Sequence, residues 1–253
     1  GQVESTVSGP HGDNTLGMSL ALLPLYYLII KLLNKDEFVA RWNILWIAPT
    51  IFYFSSVLYR IFLEPLTYEQ EWFLQYLTLL YGPLLYRWYK DSNIESFAKL
   101  SLLISICAFL FVDVQGNILF VPEIRWLFHR NDLIVAHAHV AMGIGVFFMV
   151  LCMFTSYIKN LRKIGFYFVY LFGIIGIFIS LSISGFVQAG ILDISIFSLW
   201  ILRTIFGLVT ISSLIFFIHY KQKLTLLQKY NFVGILSDGL GGVSLILFAS
   251  FIY

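Results

Sequence analysis

Two histidines, His137 and His139, lie two residues apart inside an apolar stretch that covers residues 133–157. Ionisable side chains within a membrane helix cost free energy and are usually functional. Two positions along an α-helix differ by about 200° of rotation and about 3 Å of rise. The two imidazoles therefore project from opposite faces of one helix, where they cannot share a metal ion. Each can instead ligate a planar cofactor on its own side, which suits two hemes that flank a shared helix.

The composition predicts a helical membrane protein. Apolar residues make up 59% of the 253 positions and charged residues only 12%, whereas soluble domains carry about 25% charged residues. The net charge of +2 and the lack of a basic cluster argue against a nucleic-acid partner, and membrane lipid is the expected surrounding. Cys107 and Cys152 lie in apolar segments without a Cys-x-x-Cys spacing, which excludes a disulfide framework, a zinc site and a covalent heme attachment motif.

Eight apolar segments are each close to the ~20 residues that a spanning helix needs. We therefore expect an all-α bundle of about eight transmembrane helices, forming a single domain over residues 1–253 with residues 1–13 as an outer N-terminal tail. The segments cover residues 14–33, 42–63, 72–89, 97–120, 133–157, 164–187, 196–220 and 230–253.

The lysines and arginines predict the orientation in the membrane. Twelve of the sixteen fall in alternate loops, which the positive-inside rule assigns to the cytoplasm. Both chain termini then lie on the outer side, in what we expect to be a prokaryotic plasma membrane. An outside start without a methionine also suggests that upstream helices are missing. The twelve residues are Lys31, Lys35, Arg41, Arg87, Lys90, Lys99, Lys159, Arg162, Lys163, Lys221, Lys223 and Lys229.

Arg125 and Arg130 are exceptions to this charge bias, because they precede the histidine helix on the outer side. Cations at this place can pair with carboxylates such as heme propionates. They can equally pair with Glu123 and Asp132 in their own loop. The sequence leaves these two interpretations open.

Residues 113–145 resemble the heme-binding helix of the heme–copper oxidase superfamily, with its lead-in. The most similar branches are the cbb-type cytochrome c oxidases and the nitric oxide reductases. In that family the first histidine of such a pair holds the high-spin heme and the second the low-spin heme, which assigns these roles to His137 and His139. The matching features are the polar break Asp-Val-Gln-Gly-Asn at 113–117, Leu-Phe-His-Arg-Asn-Asp at 127–132, Ala-His-Ala-His at 136–139, and glycines at 143 and 145.

Three further segments follow the family order, so that the resemblance covers most of the chain, from the family's sixth helix onward. Ser-Gly-Phe-Val-Gln-Ala-Gly at 184–190 resembles a Gly-x-x-Gln-Gly helix end. The segment at 199–207 resembles the next helix, which carries an arginine, here Arg203. Gly-Asp-Asn-Thr-Leu-Gly at 12–17 lines up with a family Gly-His-Asn-x-x-Gly.

The departures from the family concern copper. Asp13 stands where the family has a copper-binding histidine, and Tyr59 and Arg60 stand where it has a histidine pair. Tyr53 falls where cbb-type enzymes carry an active-site tyrosine. Copper needs soft or imidazole donors, so we expect no copper site, and the alignment puts the charge of Arg60 near the vacated position. The family's first helices, including the one with the second low-spin ligand, have no counterpart here, so that an upstream segment or a partner subunit has to supply that ligand.

The resemblance implies a membrane subunit of a respiratory oxidoreductase complex that binds one or two hemes b, transfers electrons and contacts other membrane subunits. One alternative is a divergent oxygen or nitric oxide reductase completed by a partner chain. Another is a heme-free structural or assembly subunit, in which the histidines form interhelical contacts. A further alternative is a proton- or ion-conducting module with Asp113, Arg203 and Asp238 as its polar path. The other histidines are expected in polar or interfacial contacts: His11, His129 and His219.

Overall fold

The computed structural model describes residues 12–128, 130–158 and 162–219, and the regular secondary structure within them is helical. The chain divides into two compact units, Gly1–Thr210 and Ile211–Tyr253. Only residues 211–219 of the second unit, the end of one helix, are described. The predictions for His11, His129 and Asp238, for the side chains of Asp13 and His219, and for an eighth helix at 230–253 fall outside the described part of the chain.

Within the described residues the α-helices follow one another in this order: α1 Asp13–Leu33, α2 Ile44–Phe62, α3 Tyr68–Leu77, α4 Tyr81–Asp91, α5 Ser96–Leu119, α6 Pro122–Phe128, α7 Asp132–Val140, α8 Phe147–Tyr157, α9 Ile164–Gln188 and α10 Ile196–His219.

Six helical stretches of the described chain are long and apolar enough to cross a membrane, which supports an integral membrane protein built as a helical bundle. They are Asn14–Leu33, Ile44–Phe62, Ser96–Leu119, Asp132–Tyr157, Ile164–Gln188 and Ile196–Ile215. These stretches agree with six of the eight predicted segments. The count of eight is not confirmed and stays a prediction.

The third predicted segment is helical but divided. Thr67 begins α3 with a capping box, in which its hydroxyl accepts from the Gln70 amide and its own amide donates to Gln70 Oε1 at 2.9 Å. The helix then tightens into a 3-10 turn, Thr78–Leu80, before α4 begins. The Thr78 hydroxyl donates to the Gln75 carbonyl oxygen at 2.9 Å, so it competes with backbone amides for this acceptor. The expected single regular helix is therefore two helices joined by this turn.

The histidine helix contains an unexpected π-helical segment. Regular α7 carries both histidines, Ala141–Val146 follows as a π-helix, and α8 completes the span. Two carbonyl oxygens of the π segment accept hydrogen bonds from neighbouring helices: Gly143 from the Tyr170 hydroxyl at 2.8 Å and Gly145 from the Ser105 hydroxyl at 2.6 Å. Because both histidines precede the π segment, the argument that they face opposite ways on a regular helix still applies.

The histidine helix lies between two long neighbours. The most extensive contacts of α7 are with α9, and those of α8 are with α5. Helix α1 packs mainly against α2 and α3. Ala136 and Phe148, one on each side of the π segment, are fully buried. The helix that carries the candidate ligands is thus enclosed by α5 on one side and α9 on the other.

Candidate functional site

Residues 184–188 of α9 hold the N-terminus of α7. The Ser184 hydroxyl donates to Asp132 Oδ2 at 2.7 Å, and the Asp132 amide donates to Gln188 Oε1 at 2.9 Å. The Asn131 side chain donates to the Gly185 carbonyl oxygen at 3.0 Å and caps α7 by accepting from the Leu133 amide. The sequence related the motif at 184–190 only to the end of a family helix. In the structure, residues of this motif hold the start of the histidine helix. We call these contacts the α7 clamp.

Gly185 makes the α7 clamp possible. A Cβ atom placed on Gly185 would lie 2.6 Å from the Leu133 backbone nitrogen and 2.8 Å from the Leu133 Cβ. A backbone atom cannot rotate away, so any side chain at this position has to push α7 and α9 apart. The two helices approach closely because this residue has no side chain.

The ring of His139 is held by its own helix. Its Nδ1 lies 2.8 Å from the Val135 carbonyl oxygen, one turn earlier in α7, and its side chain is 9% exposed. A carbonyl can only accept, so Nδ1 carries the proton and Nε2 keeps its lone pair. This arrangement, in which one ring nitrogen donates to a carbonyl and the other binds the metal, is typical of histidine ligands. A free imidazole nitrogen is a donor that heme iron accepts, so the chemistry of this one side chain is compatible with such a ligand.

A shallow groove beside α7 carries a fixed positive charge close to His139. The Arg203 guanidinium stacks over the Trp200 ring at 3.8 Å from the ring centroid and lies within electrostatic range of His139. An arginine inside a membrane helix requires a partner or an aromatic face, and here it has the aromatic face. The groove is lined by Asp132, Ser180, Leu181, Ser184, Leu199, Trp200 and Arg203.

His137 faces a different set of residues. A Cβ atom placed on Gly116 would lie 3.6 Å from the His137 Cε1 and 3.6 Å from the Gln75 Nε2. The His137 Nδ1 and the Gln75 Nε2 are buried and have no hydrogen-bond partner in the described part of the chain. Buried polar atoms in native proteins are rarely left without a partner. The side of α7 that faces α3 and α5 therefore contains polar groups that a ligand or water can satisfy.

Gln75 holds the start of α1. Its Oε1 accepts a hydrogen bond from the Gly12 amide at 2.9 Å, and the residue is 1% exposed. Glu71, one turn earlier on α3, is 3% exposed and lies directly beside Gly12. The structure thus joins the start of the segment aligned with a family copper motif to α3. We did not predict either residue from the sequence, although two polar residues in an apolar segment were a visible signal.

Tyr53 and Arg60, which the alignment placed at family active-site positions, differ in their burial. Tyr53 is half-buried, and its ring lies 2.6 Å from the point where a Gly17 Cβ would be, so it packs closely on α1. Arg60 is exposed in the last turn of α2, and the neighbouring Tyr59 hydroxyl donates to Glu64 Oε1 at 2.7 Å. Arg60 therefore lies at the surface of the bundle, and its position near a vacated copper site stays a prediction.

Arg125 and Arg130 do not pair with acidic residues of their own loop. In residues 12–128 and 130–158, no ion pair joins either arginine to Glu123 or Asp132. Asp132 instead accepts from Ser184 in the α7 clamp. The sequence left two interpretations open. One of them, the loop ion pairs, is not formed among the described residues. Pairing with the carboxylates of a cofactor stays a prediction.

No family model matches the chain, and neither a curated protein nor a solved structure matches it significantly. The resemblance to the heme–copper oxidases therefore rests on the residues quoted above and stays a prediction. The absence of copper also stays a prediction.

The α7 clamp generates a stability prediction. Gly185→Ala should destabilise the protein by about 1–3 kcal/mol, the usual cost of overpacking, because its Cβ collides with the backbone of Leu133. Gly165→Ala is the matched control, since nothing lies within 4 Å of its Cβ position near the start of α9. Thermal unfolding in detergent measures the difference. Equal midpoints for the two variants would contradict the close approach of α7 and α9.

Proposed function

We propose that this chain is a heme b-binding membrane subunit of a respiratory oxidoreductase complex and that it takes part in electron transfer. The observation that carries the proposal is the pair of imidazoles on α7, which meet different surroundings: His139 is close to Arg203, and His137 is close to Gln75 and Gly116. One helix thereby presents its two imidazoles to two different sets of residues.

His139 is the better prepared ligand of the two. The Val135 carbonyl oxygen holds its Nδ1, which orients the ring and raises the basicity of the other nitrogen. The guanidinium of Arg203 acts electrostatically on His139, and it lines a groove that also contains the carboxyl group of Asp132. A heme b bound at this nitrogen would supply a one-electron iron couple whose potential depends on its ligands, hydrogen bonds and burial.

The finer parts of the proposal follow from the resemblance and the charge bias. They are a bundle of about eight helices similar to the later helices of a heme–copper oxidase catalytic subunit, both termini on the outer side, and a prokaryotic plasma membrane. If His139 held a low-spin heme, an upstream segment or a partner subunit would have to supply the second ligand. A divergent oxygen or nitric oxide reductase completed by a partner chain is the alternative within the same class.

The first test separates the two histidines by visible absorption spectroscopy of the purified protein or complex. His139→Ala should remove a low-spin b-type signal and His137→Ala a high-spin signal, because each loses the nitrogen that ligates its iron. His219→Ala, which removes a histidine at the end of α10, should leave both signals intact. Unchanged spectra in both α7 variants would refute heme ligation and favour the heme-free structural subunit.

A second test concerns copper. We expect elemental analysis to find no copper in proportion to this chain, because Asp13, Tyr59 and Arg60 replace the family's three histidines and do not offer the donors that copper prefers. Stoichiometric copper that disappears in an Asp13→Ala variant would show that our alignment is wrong.

A third test concerns the missing second ligand. Purified without partners, the chain should keep its helical circular dichroism, since membrane helices satisfy their own backbone hydrogen bonds. It should lack the bis-histidine signal, because His139 supplies a single axial nitrogen. The intact complex is the control and should show that signal. A full complement of bis-histidine heme in the isolated chain would contradict an external ligand.

A further inference from the structure

The groove beside α7 carries two opposite charges that do not pair with each other. Arg203 of α10 and Asp132, the first residue of α7, both line it. Among the described residues, no ion pair joins these two side chains or connects either of them to another charged group. Opposite charges within a membrane protein usually pair with one another. A groove that holds a guanidinium and a carboxylate apart is therefore suited to a ligand that carries both signs of charge.

Both charged groups keep hydrogen-bonding capacity that the described residues do not use. The guanidinium of Arg203 stacks on the Trp200 ring, and no described residue accepts a hydrogen bond from its N–H groups. The carboxylate of Asp132 accepts from the Ser184 hydroxyl at Oδ2, whereas its Oδ1 accepts from no described residue. The groove thus offers the donors of a guanidinium and one carboxylate oxygen to a ligand.

The groove lies near the end of the bundle at which α7 and α10 begin and α9 ends. Arg203 follows Ile196, the first residue of α10, by about 10 Å along the helix axis. Its guanidinium lies over Trp200, one turn nearer the helix end, which is the direction in which a membrane arginine extends to reach the polar interface. Trp200 is 51% exposed, and exposed tryptophans are typical of the membrane–water interface. A ligand in the groove is therefore at the level of lipid headgroups.

The chemistry of the two charged groups selects the class of ligand. A guanidinium binds a phosphate through two parallel hydrogen bonds. The free oxygen of Asp132 requires an N–H donor, which a primary ammonium has and a quaternary ammonium lacks. The groove is shallow, so a ligand lies over it and not inside the bundle. Further from this end, apolar side chains of α9 and α10 are exposed, among them Ile175, Ile179 and Ile205, and they offer a surface to lipid acyl chains.

We propose that this groove binds the headgroup of a phosphatidylethanolamine molecule of the surrounding membrane. Arg203 donates to the lipid phosphate, and Asp132 accepts from the ammonium group of the ethanolamine. The acyl chains lie along the exposed apolar side chains of α9 and α10. A lipid held in this way joins α10 to the α7 clamp from the membrane side. This inference goes beyond the proposed function and does not require a heme.

Native mass spectrometry of the purified protein or complex in detergent tests the choice of lipid. Phosphatidylethanolamine, phosphatidylcholine and phosphatidylglycerol are added one at a time, and the bound fraction is measured against lipid concentration. Phosphatidylethanolamine should bind about tenfold more tightly than the other two, the difference expected for one hydrogen bond to a charged group. Phosphatidylcholine has no N–H group, and phosphatidylglycerol has no cation. Successive N-methylation of phosphatidylethanolamine should weaken binding step by step. Equal affinity for the three lipids would overturn the proposal.

The same titrations with variants assign the two charges to the two parts of the headgroup. Arg203→Gln should weaken the binding of all three lipids, because each carries a phosphate. Asp132→Asn should weaken only phosphatidylethanolamine, to the level of phosphatidylglycerol, while the new side chain keeps an oxygen that can accept from Ser184. Arg203→Lys keeps a cation and should retain part of the binding, which separates loss of the charge from loss of the fold.

Arg87→Gln and Asp91→Asn are the matched controls. They remove the same two types of charge, but Arg87 and Asp91 pair with each other at 2.9 Å, so that neither is free for a lipid. Both variants should bind the three lipids as the wild type does. Unchanged binding in Arg203→Gln, or a preference for phosphatidylethanolamine that survives in Asp132→Asn, would show that the lipid binds elsewhere on the bundle and would refute the proposal.

Discussion

The approach of α9 to the start of α7 is the contact on which the candidate site depends. Gly185 has no side chain, so the backbone of Leu133 can pack directly against it. Ser184 and Gln188 then reach Asp132 and fix the end of α7. The angle and depth of this helix set the positions of both histidines together, because they are only two residues apart. A small displacement here would move both imidazoles relative to α5, α9 and Arg203.

The same helix separates two kinds of polar environment. On the side of His139, the arginine is stacked on an aromatic ring and the imidazole is held by a carbonyl of its own helix. On the side of His137, amide and imidazole nitrogens are buried without partners among the described residues. The first side is organised around a fixed charge, and the second around uncharged groups that need a hydrogen-bonding ligand. Two histidines with the same local sequence therefore meet different surroundings.

Some polar side chains elsewhere in the bundle bond carbonyl groups of their own helix, and others bond across helices, where lipid offers no alternative partner. The hydroxyls of Tyr170 and Ser105 support the π-helical segment by taking its displaced carbonyl groups. Ser105 also bonds Tyr26, so one residue of α5 connects the π segment with α1.

The sequence by itself determined the features that depend on residues a few positions apart. Six spanning helices and the opposite directions of His137 and His139 follow from apolar length and from the 3.6-residue period. Only the tertiary structure decided which residues surround those histidines. Gln75 bonds Gly12 across 63 positions and Ser105 bonds Tyr26 across 79, while Arg60, which the alignment put near a metal position, is exposed. Such pairings depend on which helices touch and at what depth, and periodicity along one helix carries no information about its neighbours.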